Sequence, residues 1–197
     1  MLEAARHVFE TTGYLDARIE DITTQAGLSH GSFYHYFNSK EEVFRELTEV
    51  QVALLTTPHS SSDESESSQS SQSSQSSQSS EFERLLSGNR LFFERYRENV
   101  GIMAVIEEVS RYDDTVGAAR TRISKHFNAR AEQTVRRLQN AGKADPRLVP
   151  EIAATALGAM VARSAELWLV ENWSDYEFDE IIEQLTLLWA NAIDLQE

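Results

Sequence analysis

Between Ser29 and His35 the sequence reads Ser-His-Gly-Ser-Phe-Tyr-His. Hydroxyls and imidazoles at that density make short, two-way hydrogen bonds. That is the chemistry needed at base edges and phosphate oxygens. The elements around the stretch are built to present it. A short helix is expected from Ile19 to about Ala26, with Asp16 upstream as its cap, and Gly27 ends it. Ser29 stands where an N-cap belongs for the next helix, which should run through Tyr36. Ile22, Ala26, Leu28 and Phe33 are spaced to pack the two helices together. The outward face of the second then shows Ser29, His30, Gly31, Ser32, Tyr34 and His35. This is the arrangement of a helix-turn-helix, whose second helix lies in the major groove. Gly31 is costly inside a helix, and close approach of the backbone to DNA would explain it. The plainer reading of the same string is an ordinary three-helix core.

The flanks supply two more helices. Leu2, Ala5, Val8 and Phe9 make an apolar stripe that stops at Gly13. Asn38 or Ser39 caps a fourth helix, with Glu41 and Glu42 in its first turn and Val43, Phe44, Leu47, Val50 and Leu54 as its buried stripe. From Ser60 to Ser80 the chain holds only Ser, Gln, Asp and Glu, with Ser-Ser-Gln repeated from Ser67 to Gln78. Nothing there offsets the entropy of ordering it, so it reads as a linker. The expected domains are thus 1–55, a linker over 56–80, and 81–197. Five further helices are expected in the last block, and no strand, so the class is all-α.

Net charge is −14 over 197 residues, which excludes broad polyanion binding as the main activity. Residues 1–55 hold four basic residues against nine acidic, a net −5, so any DNA contact there depends on placed cations. The chain has no cysteine, hence no disulfide or thiolate chemistry. No apolar run approaches the roughly 18 residues of a membrane span, and a cytoplasmic location is expected. His7, His30, His35, His59 and His126 lack metal-ligand spacing, and no nucleophile elbow, phosphate-cradling glycine loop or HExxH is present. Neither an enzyme nor a cofactor or metal is implied.

The full string resembles the TetR family of bacterial transcriptional regulators. The resemblance rests on Ala4-Ala5, Phe9, Gly13-Tyr14, Ile19, Ile22 and Ala26-Gly27. It continues through Ser29, Gly31-Ser32-Phe33-Tyr34-His35-Tyr36-Phe37 and Ser39-Lys40-Glu41-Glu42-Val43-Phe44, covering about residues 2–47. It implies that Ser29, His30 and Ser32 face bases, that Tyr34 and His35 hold phosphates, and that Lys40 meets a phosphate at a helix N-terminus. Arg18 and Thr23 or Thr24 are further phosphate candidates. Phe33, Tyr36 and Phe37 look like core. Family members usually carry a basic arm ahead of the first helix, where this sequence has only Met1.

The resemblance also implies a C-terminal effector and dimerisation domain. Ala153, Leu157, Val161, Ser164 and Trp168 on one helix, with Ile182, Leu185 and Trp189 on the last, would pair with a second copy. An apolar pocket would draw on Phe92, Phe93, Tyr96, Met103, Ile106, Phe127 and Met160. Arg163 could receive a ligand carboxylate, or pair with Glu166 three residues on. The expected partners are operator DNA, a small apolar effector and a second copy, with no membrane. The expected function is a repressor that the effector releases from a palindromic operator. The rival is a TetR-like ligand-binding or interaction module that has lost DNA binding.

Overall fold

The computed structural model describes residues 1–56, 80–173 and 175–196. Most of the expected linker, residues 57–79, lies outside the described residues. Its borders are helical: Thr56 ends one helix, and Ser80 caps the next through the Glu83 N–H at 3.2 Å. No strand occurs among the described residues.

The N-terminal unit comprises α1 (Leu2–Thr12), α2 (Ile19–Gln25), α3 (His30–Phe33) and the start of α4 (Lys40–Thr56). Phe9, Ile22, Phe33 and Phe44 are its fully buried centre. The entries to α2, α3 and α4 are each fixed by a side-chain hydrogen bond. The Asp21 carboxylate accepts from the Arg18 N–H at 3.0 Å, so α2 is capped from within and not by Asp16. Ser29 Oγ accepts from the Ser32 N–H at 3.3 Å. Ser39 Oγ accepts from the Glu42 N–H, and the Glu42 carboxylate reaches back to the Asn38 N–H at 2.7 Å. That is a capping box shifted by one residue, with the carboxylate on Asn38 instead of Ser39.

Some packing expectations fail here. Helix α3 ends at Phe33, because His35 and Tyr36 close three-residue turns onto Ser32 and Phe33. That swings Tyr36 out to 66% exposure, while Phe37 stays half-buried. Leu28 sits on the turn, 42% exposed, and does not pack between the helices. On α4 Val43, Phe44 and Leu47 are buried as expected, but the stripe continues through Thr48, Gln51 and Leu55, which leaves Val50 and Leu54 in solvent. The apolar pattern lost the phase only past Leu47, because it counted no polar residue as core. Thr48 is tolerated inside because its hydroxyl donates to the Phe44 carbonyl at 2.9 Å.

The second unit holds α5 (Glu81–Glu98), α6 (Val100–Val109), α7 (Asp114–Asn140), α8 (Pro150–Ala165) and α9 (Phe178–Ala192). Helix α7 is the central post. Helix α8 lies along it so closely that a Cβ on Gly158 would strike Asn128 Oδ1. Helix α8 opens with Pro150 in its first turn and continues into a wider π turn, Glu166–Val170, closed by the Glu171 N–H onto the Glu166 carbonyl at 3.1 Å. Helix α9 docks on α5, where Asn89 Nδ2 donates to Thr186 Oγ1 at 3.0 Å. Glu81 ties α5 to the far end of α7 by a two-pronged pair with Arg137, at 3.0 and 2.9 Å. Pro150–Val170 reaches a mean hydropathy of 1.2 over a span-length window, so one segment does meet the length and composition of a membrane span. The run was missed because Glu151, Arg163 and Glu166 interrupt it.

Both stripes expected to pair between copies are largely used inside the chain. Leu157, Val161, Ile182, Leu185 and Trp189 are buried against this chain's own helices. Ala153, Ser164 and Trp168 are half-buried. The apolar residues left in solvent on the same two helices include Ile152 (68% exposed), Leu188 (55%) and Leu187 (40%), with Ala156, Ala159 and Ala192 also exposed. A shallow apolar groove of about 350 Å³, lined by Val149, Ile152, Ala156 and Ala192 among others, marks this face.

Candidate nucleic-acid interface

The turn between α2 and α3 depends on Gly27, whose φ of +66° lies in the left-handed region. The Leu28 N–H bonds back to the Thr23 carbonyl at 2.9 Å and locks the angle between the helices. Ile22 and Phe33, both fully buried, hold α3 down from below. Its other side is free. Ser29, His30, Gly31, Tyr34 and His35 are exposed and Ser32 is half-buried. Tyr34 is 53% exposed, with its ring edge-on to His30 at 5.5 Å. The Ser29 and Ser32 hydroxyls bond each other at 2.8 Å, and His30 Nδ1 lies 3.6 Å from Glu20 Oε1. A Cβ on Gly31 would meet nothing within 4 Å, so no crowding inside the chain demands that glycine.

The expected phosphate contacts divide sharply. Thr24 is exposed, but Thr23 is 3% exposed and its hydroxyl donates to the Glu20 carbonyl at 3.1 Å. Lys40 turns inward. Its ammonium donates to the carbonyls of Tyr14 (2.7 Å), Leu15 (3.2 Å) and Ala17 (2.9 Å) and lies 4.7 Å over the Tyr14 ring. All three of its donors are spent on the chain between α1 and α2. Arg6 bonds Glu10 and Asn99, and Arg45 bonds Asp113 at 2.8 Å. Of the four basic residues in 1–55, Arg18 is the one whose side chain has no partner among the described residues; it is exposed.

Sequence reasoning missed the junction beneath this face. Tyr14 is buried and packs on Phe44 (4.8 Å), Phe9 (5.6 Å) and Tyr112 (6.4 Å). Burial, with Glu41 next, pushes its hydroxyl up to about 12, so it stays protonated. The Arg45–Asp113 and Arg122–Glu49 pairs bridge α4 to α7 and its N-cap, and Arg6–Asn99 bridges α1 to α6. The signal available was the Gly13-Tyr14 dipeptide, but its partners are about 30 and 100 residues away in sequence.

In the second unit, Phe92 meets Phe127 edge-on at 5.0 Å and Tyr96 at 6.0 Å. Phe93, Tyr96, Met103 and Ile106 are buried, and Phe92, Phe127 and Met160 half-buried. These expected pocket residues form a packed aromatic wall. Arg163 pairs with Glu166 at 2.6 Å and Glu171 at 3.0 Å.

Residues 1–47 match the model of bacterial regulatory proteins of the tetR family. That match covers the helix-turn-helix block, about a quarter of the chain. Two HTH-type transcriptional regulators of Bacillus subtilis agree: YdgC is 45% identical over 47 residues, 24% of each chain. YfiR is 41% identical over 49 residues, 25% of this chain and 24% of its own. The chain thus matches about a quarter of the length of these curated relatives. Solved structures share the fold over 98 to 99% of this chain's length. FadR from Bacillus subtilis in complex with stearoyl-CoA superposes with a TM-score of 0.73 at 17% identity, covering 98% of this chain and 97% of that one. The fatty acid degradation regulator FadR from Bacillus halodurans gives 0.69 at 16% identity, covering 99% and 95%.

Proposed function

We propose that this chain is a homodimeric one-component repressor, released from a palindromic operator by a small apolar effector. The observation that carries the reading is the face of Ser29, His30, Ser32, Tyr34 and His35, exposed on a short helix that Ile22 and Phe33 clamp from below. Two such faces, one per copy, would sit in major grooves about one turn (~34 Å) apart. Ser29, His30 and Ser32 read base edges, while Tyr34, His35, Thr24 and Arg18 take phosphates. Lys40 acts by fixing the chain between α1 and α2. The exposed Ile152, Ala156 and Leu188 supply the pairing face. The effector occupies the region of Phe92, Phe127 and Met160, and favours a state with the wrong spacing between reading faces. The fold shared with an acyl-CoA-bound regulator supports a lipid-like effector.

One observation favours the rival, an interaction module without DNA binding: three of the four basic residues in the reading block are engaged inside the chain. Anisotropy of labelled DNA from upstream of the protein's own gene separates the two. The repressor reading expects a preference over scrambled DNA that Tyr34→Ala and Arg18→Ala each weaken about tenfold. No preference, with both variants equal to wild type, establishes the rival.

A further inference from the structure

We propose that the Tyr96 hydroxyl anchors the neutral carbonyl of an acyl chain, as in a thioester. The proposal rests on the effector reading above and names its chemistry. Tyr96, on α5, is 5% exposed, and its hydroxyl oxygen is fully buried with no hydrogen-bond partner among the described residues. A buried unpaired hydroxyl is costly, and a ligand acceptor relieves it.

The surroundings select the acceptor. Four elements bring charge to this hydroxyl: Glu107 from α6, Glu166 from the π turn, Arg120 from α7 and Arg163 from α8. The charges are paired, Glu107 with Arg120 and Glu166 with Arg163. In both pairs the carboxylate lies inward, 18% and 16% exposed, and the guanidinium outward, 46% and 51%. Burial first, then the two carboxylates, push the Tyr96 pKa up, and the arginines offset this less. The hydroxyl therefore remains a donor in a locally negative setting. A carboxylate head meets two carboxylates there, whereas an ester or thioester carbonyl accepts the bond without adding charge.

The rest of the wall fits the chain of such a molecule. Phe92, one helical turn before Tyr96, and Phe127 present ring edges, and Met103 and Met160 are unbranched and adaptable. One polar anchor in an apolar wall suits a one-headed amphiphile. The π turn that delivers Glu166 is of the kind often found at functional sites.

The test uses the full chain without DNA, with palmitoyl-CoA, palmitate and CoA as probes in thermal-shift and fluorescence titrations. Palmitoyl-CoA should raise the melting temperature, CoA should not, and palmitate should bind at least tenfold more weakly. Tyr96→Phe should lose about tenfold in palmitoyl-CoA affinity while its ligand-free melting temperature holds or rises, since an unpaired polar atom is gone. Glu166→Gln should narrow the gap between thioester and acid. Overturning results are palmitate binding as tightly as the thioester, Tyr96→Phe binding palmitoyl-CoA like wild type, an unchanged gap in Glu166→Gln, or no binding of any probe. Operator binding by the same ligand-free samples keeps the two claims apart. DNA binding without acyl binding removes the anchor alone, and acyl binding without DNA binding removes the repressor alone.

Discussion

Glu81 illustrates how single residues hold this molecule's two ends. Its carboxylate, 9% exposed, accepts two bonds from Arg137 and one from Arg84 at 3.2 Å. The Arg137 bonds lead in holding its pKa below the usual carboxylate value. A depressed folded-state pKa contributes stability that is full above the unfolded pKa and lost as pH falls through the folded one. Glu81→Gln should therefore cost about 2 kcal/mol near neutrality. In urea melts the gap to wild type should shrink as pH drops below the carboxylate range, and a gap independent of pH would contradict this. At this scale the sequence was legible where chemistry is local. The Ser29 cap and the exposure of His30, Tyr34 and His35 follow from neighbours within four residues. Lys40 was misread because its three carbonyl partners lie 23 to 26 residues away, and a cation at a helix start otherwise suits a phosphate.

Helices rather than residues carry the link between the two units. Arg45 on α4 bonds Asp113, and Asp113 also caps α7 through the Thr115 and Val116 N–H groups at 2.9 and 3.1 Å. The reading block thus grips the first turn of the central post. Two variants divide the roles. Asp113→Ala removes cap and ion pair, and should cost about 1 kcal/mol. Arg45→Ala removes the pair alone and should change stability by less. Both should keep ligand-free operator affinity within a few fold and blunt its release by effector. Full release in both variants would show that this bridge transmits nothing. Helix positions were legible from periodicity and caps, within a few residues for α1, α5 and α7. Phase in the second half of α4 was not, because Thr48 and Gln51 face inward while Val50 and Leu54 do not.

The whole molecule raises the question of what covers Ile152 and Leu188. The sequence showed two helices too apolar for solvent, but it named Leu157, Val161, Leu185 and Trp189 as the pairing face. Those residues fill this chain's own core, and a pattern cannot tell an inner apolar stripe from an outer one on a helix with both. Leu188→Asp should shift the protein to monomer in sedimentation velocity and leave its helical signal intact. A dimer that persists would move the interface elsewhere. Charge also becomes clearer at this scale. The −5 of residues 1–55 understates the constraint, since Arg6, Lys40 and Arg45 are all held internally.

The central claim is that α3 recognises one DNA site with almost no electrostatic help. Its most direct test is the affinity for the upstream DNA as a function of salt, beside scrambled DNA. With Arg18 as each copy's unpaired cation in the reading block among the described residues, the log–log slope should be shallow, about −2 per dimer. The preference for the upstream site should persist across the salt series. Equal affinity for both DNAs at every salt concentration would contradict the account.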